Sequence, residues 1–177
     1  MIRYYVTDRS RGNVINCAAR AIRDGIDVIQ IREKDLAARE LFELACKIRD
    51  LAGGTKTRVL INDRLDIALA AGIDGVHLPG NGLPAERVRP LIKVLGVSVH
   101  SVEEALQAER ARADFLVFGP IFDSPGKTAV GFAPLRQVVG SVKIPVLAIG
   151  GITIENSAEV MQAGASGIAG IRMFQTE

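Results

Sequence analysis

The chain has 177 residues, 48% hydrophobic and 24% charged, with a formal net charge of +2. That length allows one good core and a single domain over 1–177, and the scattered Lys and Arg leave no stripe for nucleic acid. No apolar run approaches the roughly eighteen residues of a membrane helix, and the opening MIRYYVTDRS has no signal-peptide pattern, so a cytoplasmic protein without a membrane partner is expected.

Short apolar runs alternate with amphipathic ones from start to finish. Strands are predicted near Arg3–Thr7, Val28–Arg32, Val59–Ile61, Gly75–Leu78, Gly96–Val99, Phe115–Phe118, Val146–Ile149 and Gly167–Ile171. Helices are predicted near 13–24, 37–52, 64–71, 84–92, 102–112, 133–141 and 154–163. Three glycines, Gly25, Gly72 and Gly164, follow helical runs in a repeated pattern (RDGIDVIQI, AAGIDGVHL, QAGASGIAG) and are expected to close them in the left-handed conformation. Ser101 with Glu104 has the spacing of a capping box, and Thr153 is a candidate cap for the last helix. Cys17 and Cys46 fall in helical patterns and are expected to be buried inert thiols, with a bridge between them as the weaker alternative.

Strict alternation of strand and helix implies parallel strands joined by crossovers. Eight such strands close most naturally into a compact (β/α)8 TIM barrel, with an open doubly wound sheet as the competing architecture. The eighth helix is missing, since the sequence stops at Gln175-Thr176-Glu177 just after the last predicted strand. A partner subunit in a homo-oligomer, or a natively reduced tail, would then cover that side of the barrel.

In such barrels the chemistry lies at the carboxyl ends of the strands. Gln30, Arg32 and Lys34 end the second predicted strand, and a period of two points them together into the mouth. Two cations and an amide there suit a diphosphate, because Arg forks to phosphate and Lys acts as a point charge. An ion pair with Glu33 is the structural alternative. Asn62 and Asp63 follow the third strand. Asp63 could hold Mg²⁺, a cation that takes few carboxylates and completes its shell with phosphate oxygens; it could equally cap the next helix.

His77 ends the fourth strand, and Ser98 and His100 end the fifth. Nothing there has zinc-site spacing, and each histidine is expected to be a hydrogen-bonded core or rim residue. Gly150-Gly151 ends the seventh strand and is expected to open a helix whose backbone N–H groups bind phosphate, with Gly170 and Arg172 completing the cup. The long loop Gly119–Thr128 is expected to act as a lid that adds Lys127.

The motifs YYVTDR, QIREK, INDRLDIALAAGIDGVHL, GVSVHSVEEALQAE, FGPIF and PVLAIGGITIEN occur in this order over nearly the whole chain. Together they resemble the thiamine phosphate synthase and TenI family. The resemblance implies a barrel that joins a hydroxymethylpyrimidine diphosphate to a thiazole phosphate, with Mg²⁺ and release of pyrophosphate. It further implies that Gln30, Arg32, Lys34 and Asn62 hold the pyrimidine diphosphate, that Asp63 binds the metal, and that Ser98 faces the pyrophosphate. Ser124, Lys127 and Gly151 would contact the thiazole partner. Arg32, Ser98 and Lys127 are thus the candidates for catalysis, which would consist largely in neutralising the departing pyrophosphate.

The chain departs from the family pattern in three places. Gly82 stands where the synthases carry a second metal-binding aspartate, with uncharged Asn81 beside it. The threonine-rich lid motif is reduced to Ser124-Pro125-Gly126-Lys127, and Arg172 replaces a serine. The stretch PGNGLP lies nearer to the TenI branch, a thiazole tautomerase that needs no Mg²⁺, yet its histidine is Pro120 here. QIREK and IND favour the synthase; a tautomerase and a non-catalytic phosphate-binding relative are the alternatives.

Overall fold

The computed structural model describes residues 1–175. Eight strands run parallel: β1 (Ile2–Val6), β2 (Val28–Ile31), β3 (Arg58–Asn62), β4 (Gly75–Leu78), β5 (Val94–Val99), β6 (Phe115–Phe118), β7 (Val146–Ile149) and β8 (Gly167–Gly170). They pair in chain order, and β8 returns to β1 through Ile2 beside Gly167 and Tyr4 beside Ala169, closing the barrel. Seven helices connect them: α1 (Val14–Arg23), α2 (Ala38–Ala52), α3 (Leu65–Ala71), α4 (Ala85–Val88), α5 (Val102–Arg110), α6 (Phe132–Ser141) and α7 (Ser157–Gln162). This is the predicted TIM barrel rather than an open sheet.

The period of two along each strand separates two cores. Tyr4, Val28, Leu60, Phe115, Val117 and Leu147 fill the barrel interior. Their chain neighbours Tyr5, Ile29, Ile61, Leu116 and Ala148 face outward and pack under the helices. Both faces of each strand are therefore apolar, and this is why the strands read as continuous hydrophobic runs.

Helix ends follow the sequence signals with some differences. Gly72 closes α3 in the left-handed conformation, its N–H reaching the Ala68 and Leu69 carbonyls, and Gly25 and Gly164 also have positive φ. Ser101 caps α5 by accepting from the Glu104 N–H at 3.1 Å, but the Glu104 carboxylate reaches the His100 N–H at 2.7 Å rather than that of Ser101. The predicted helix over 84–92 splits into α4 and a single 3₁₀ turn at Arg89–Leu91, where Pro90 has no N–H to continue an α-helix. The last helix starts at Ser157 because Asn156 and Thr153 satisfy one another first: the Thr153 N–H donates to Asn156 Oδ1 at 2.8 Å, and the Asn156 N–H to Thr153 Oγ1 at 3.4 Å.

Among the described residues β8 is followed by no helix, only by a turn in which the Gln175 N–H donates to the Ile171 carbonyl. Gln175 is nearly buried, accepts from the Tyr5 hydroxyl at 3.0 Å and the Asp8 N–H at 3.1 Å, and donates to the Asp8 carbonyl at 2.6 Å. This side chain fills space beside the outer face of β1. Thr176 and Glu177, named in the predicted tail, lie outside the described residues. Both thiols are free, Cys17 buried and Cys46 half-buried. No helix among the described residues is long and apolar enough to cross a membrane.

Candidate active site

The carboxyl ends of β2 to β5 bring an inward-facing polar layer above the apolar filling. Gln30 is only 4% exposed, and its amide donates to Asn62 Oδ1 at 3.1 Å, tying β2 to β3. His77 pairs with Asn62 in the β3–β4 register and is 3% exposed. Its Nε2 lies 2.8 Å from Ser98 Oγ on β5 and its Nδ1 3.0 Å from the Tyr4 hydroxyl on β1. Burial first, and then the nearby Arg32 guanidinium, push the His77 pKa down from 6.5 to about 3, so the ring is neutral. The expectation of a hydrogen-bonded core histidine describes it well. Tyr4 is the residue that sequence reasoning missed; its inward place on β1 was the available signal.

Alternation continues just past β2. The chain leaves the strand after Ile31, one residue earlier than predicted, yet Arg32 and Lys34 are exposed while Glu33 between them is buried. Glu33 turns away from both cations: it accepts from Thr7 Oγ1 at 2.5 Å and from the Arg9 N–H at 3.0 Å. The alternative of an ion pair with Glu33 therefore fails. Six surface ion pairs, such as Arg58–Asp74 and Arg89–Asp114, engage other arginines, whereas Arg32, Lys34 and Lys127 have no carboxylate partner among the described residues.

Asp63 follows β3 with φ of 63°, a left-handed conformation that aspartate tolerates better than most residues. Its N–H donates to the His77 carbonyl at 2.9 Å. The residue at the start of α3 is Arg64, with no side-chain cap, so Asp63 is not the N-cap that its position suggested. Gly82, in the loop after β4, comes so near that a Cβ on it would lie 2.9 Å from Asp63 Oδ1. Among the described residues no group of three or more His, Cys, Asp and Glu side chains could hold a metal. The single Asp63 carboxylate is a partial shell, one that suits Mg²⁺ only when phosphate oxygens supply the remainder.

The other half of the mouth is built from β6 to β8. Ser124 and Lys127 exchange two backbone hydrogen bonds, at 3.1 and 2.9 Å, around Pro125-Gly126, forming a tight hairpin with an exposed tip. Its base is pinned by the Ile121 N–H to Ile149 and the Val130 N–H to Pro120, at 2.9 and 2.8 Å. Gly150 and Gly151 follow β7, but they do not open a helix: α7 begins only at Ser157. A Cβ on Gly150 would meet Pro120 Cβ at 2.3 Å, and one on Gly151 would meet Phe122 Cβ at 2.6 Å, so the pair lets the β6 loop pack against the end of β7. Gly170 ends β8, and Arg172 is exposed just beyond it. The structure thus joins Gln30 with Asn62, Ser98 with His77 and Ser124 with Lys127, and places the remaining candidates at the same end of the barrel, after the carboxyl ends of the strands.

Comparison with known proteins gives this geometry a context. A family model described as thiamine monophosphate synthase matches residues 3–174. The thiamine-phosphate synthase of Chloroflexus aurantiacus is 44% identical over 175 residues, spanning 94% of this chain and 81% of the relative. That of Clostridium acetobutylicum is 40% identical over 175 residues, spanning 94% and 83%. The solved structure of a thiamine phosphate pyrophosphorylase from Pyrococcus furiosus superposes with a TM-score of 0.89 at 38% identity, over 96% of this chain and 85% of that one. A 3-hexulose-6-phosphate synthase, 17% identical with a TM-score of 0.68, shares the fold alone. Closed barrel, polar mouth and full-length similarity agree, and the chain belongs to the thiamine monophosphate synthase family.

Proposed function

We propose that this protein is a thiamine-phosphate synthase, a transferase that joins hydroxymethylpyrimidine diphosphate to a thiazole phosphate and releases pyrophosphate. The observation that carries the reading is that three exposed cations, Arg32, Lys34 and Lys127, follow the carboxyl ends of β2 and β6, at the barrel end that also holds the Asp63 carboxylate. Relatives 38–44% identical carry names for this activity.

In this reaction the bond from the pyrimidine methylene carbon to the diphosphate oxygen breaks, and a bond from that carbon to the thiazole nitrogen forms. Negative charge grows on the departing pyrophosphate, so the site has to stabilise that charge more than it stabilises the substrate. Arg32 and Lys34 do so from the end of β2, and Ser98 adds a hydrogen bond from β5. The Gln30–Asn62 pair orients the pyrimidine diphosphate. Ser124, Lys127 and Gly151 face the thiazole partner, with Lys127 near the leaving group. Gly150, Gly170 and Arg172 form a second phosphate cup at β7 and β8, where barrels commonly place one. Asp63 would hold Mg²⁺ together with phosphate oxygens, and the bound ion supplies further charge neutralisation.

The test is product formation by the purified protein with both substrates and Mg²⁺, read as thiochrome fluorescence. Thiamine phosphate that appears only when both substrates and the metal are present supports the reading. No product at stoichiometric enzyme overturns it.

A further inference from the structure

Three side chains form a continuous hydrogen-bonded line from the closed interior of the barrel to its mouth. Tyr4 on β1 is fully buried, its hydroxyl 3.0 Å from His77 Nδ1 on β4, and His77 Nε2 lies 2.8 Å from Ser98 Oγ on β5. Packing fixes the rings. Tyr4 and Phe115 meet edge to face at 5.5 Å, and Gly96 leaves the gap they need: a Cβ there would lie 2.4 Å from Phe115 Cζ and 2.9 Å from His77 Nδ1.

The buried end sets the direction of the line. His77 is the sole hydrogen-bond partner of the Tyr4 hydroxyl among the described residues. Burial keeps the phenol protonated, and a buried O–H has to donate to something. The acceptor is therefore His77 Nδ1. A neutral imidazole that accepts at Nδ1 carries its proton on Nε2 and donates it to Ser98 Oγ. The opposite arrangement, with an Nδ1–H donating to the phenol oxygen, strands the phenol proton in an apolar interior. Ser98 already accepts from the ring, and its own proton is left to point elsewhere. The residue is half-buried at the mouth.

We infer that Tyr4 and His77 are positioning residues that hold Ser98 as a standing hydrogen-bond donor toward an anionic oxygen at the barrel mouth. That oxygen belongs to the pyrophosphate group if the proposed function is right, and this part of the inference rests on that reading. An isolated serine hydroxyl turns its proton either way. Here the relay removes one of the two choices before the substrate arrives, so no reorientation is needed as charge develops. His77 itself exchanges no proton with the substrate.

Two measurements test this, and the first does not depend on the reaction. In protein labelled with ¹⁵N-histidine, long-range ¹H–¹⁵N spectra near neutral pH report the tautomer, and His100→Gln identifies which signals belong to His77. The Nε2–H tautomer is expected; an Nδ1–H tautomer or a charged ring overturns the relay. The second is calorimetric titration with inorganic pyrophosphate and Mg²⁺. Ser98→Ala should weaken binding about tenfold, the scale of one hydrogen bond to a charged group. Tyr4→Phe should weaken it about threefold or more by letting Nε2 accept from Ser98, and should add nothing in the Ser98→Ala background. The same loss in both backgrounds would mean that Tyr4 only supports packing, and overturns the inference. Pyrophosphate affinity unchanged by Ser98→Ala, with the Nε2–H tautomer present, overturns the assignment of the anion and counts against the proposed function instead.

Discussion

Gly82 lies against Asp63 so closely that the first atom of any side chain at position 82 would sit 2.9 Å from Asp63 Oδ1, and also 2.9 Å from Pro79 Cδ. Position 82, where the family resemblance implies a second metal-binding aspartate, therefore adjoins the carboxylate proposed for the metal, and Asp63 occupies part of the room. Gly82→Asp is expected to lower the Mg²⁺ concentration needed for half-maximal product formation. It should also destabilise the fold by about 1–3 kcal/mol, because the loop has to yield to the added atoms. Metal titration of activity beside thermal melts checks both effects. An unchanged metal response removes Asp63 from the metal site.

Arg32 and Lys34 are exposed and lack carboxylate partners among the described residues, so removing either should leave the fold intact. Arg32→Ala and Lys34→Ala should each weaken binding of pyrophosphate with Mg²⁺ by about tenfold or more, since a hydrogen bond to a charged group contributes roughly 1.5–3 kcal/mol. Stability should change by no more than about 0.5 kcal/mol. Calorimetric affinity near that of the parent protein removes the residue from the site.

His77 makes stability depend on pH in a definite direction. Its folded-state pKa is depressed to about 3, so between there and the ordinary value near 6.5 the unfolded chain binds a proton that the folded chain does not. The contribution is complete above pH ~6.5 and is lost as the pH falls, by about 1.4 kcal/mol per unit, or about 2 kcal/mol by pH 5. Urea unfolding at a series of pH values should show this slope, and His77→Gln should reduce it by the equivalent of one proton. Equal slopes in the two proteins would show that His77 titrates normally.

Two loop glycines should respond differently. Gly151 has φ of 64° and would press a Cβ to 2.6 Å from Phe122 Cβ, whereas Gly126 has φ of 73° with no atom within 4 Å of a Cβ. Gly126→Ala should therefore cost only the backbone strain of about 1–2 kcal/mol. Gly151→Ala adds overpacking of a further ~1–3 kcal/mol and displaces the loop that carries Lys127, lowering turnover as well. Melting temperatures and kcat for the two variants give the comparison; equal losses would place Gly151 outside the packing contact described.

Much of this was legible from residue order. Alternation by two put Gln30 on the inward face of β2, where it meets Asn62, and helix-ending glycines such as Gly72 marked the βα units. What was hidden depends on contacts between strands distant in the chain. Tyr4 and His77 are 73 residues apart, and nothing local reveals that their rings meet. Asp63 followed by Arg64-Leu65 has the local chemistry of a cap, and only the turn geometry beside β4 denies it that role. The Gly-Gly pair suggested a helix start, because a close approach by Pro120 and Phe122 leaves no trace in a short sequence window.

The pairing of β1 with β8 has a consequence for biosynthesis. The first strand is made long before the neighbour that completes its ladder, which begins at Gly167. Until then the growing sheet presents two raw hydrogen-bonding edges, the kind of surface that recruits other chains. Closure is thus a late, all-at-once event dominated by the longest-range pairing in the molecule. A chain that ends before Gly167 should be an aggregation-prone open sheet and a natural client for chaperones.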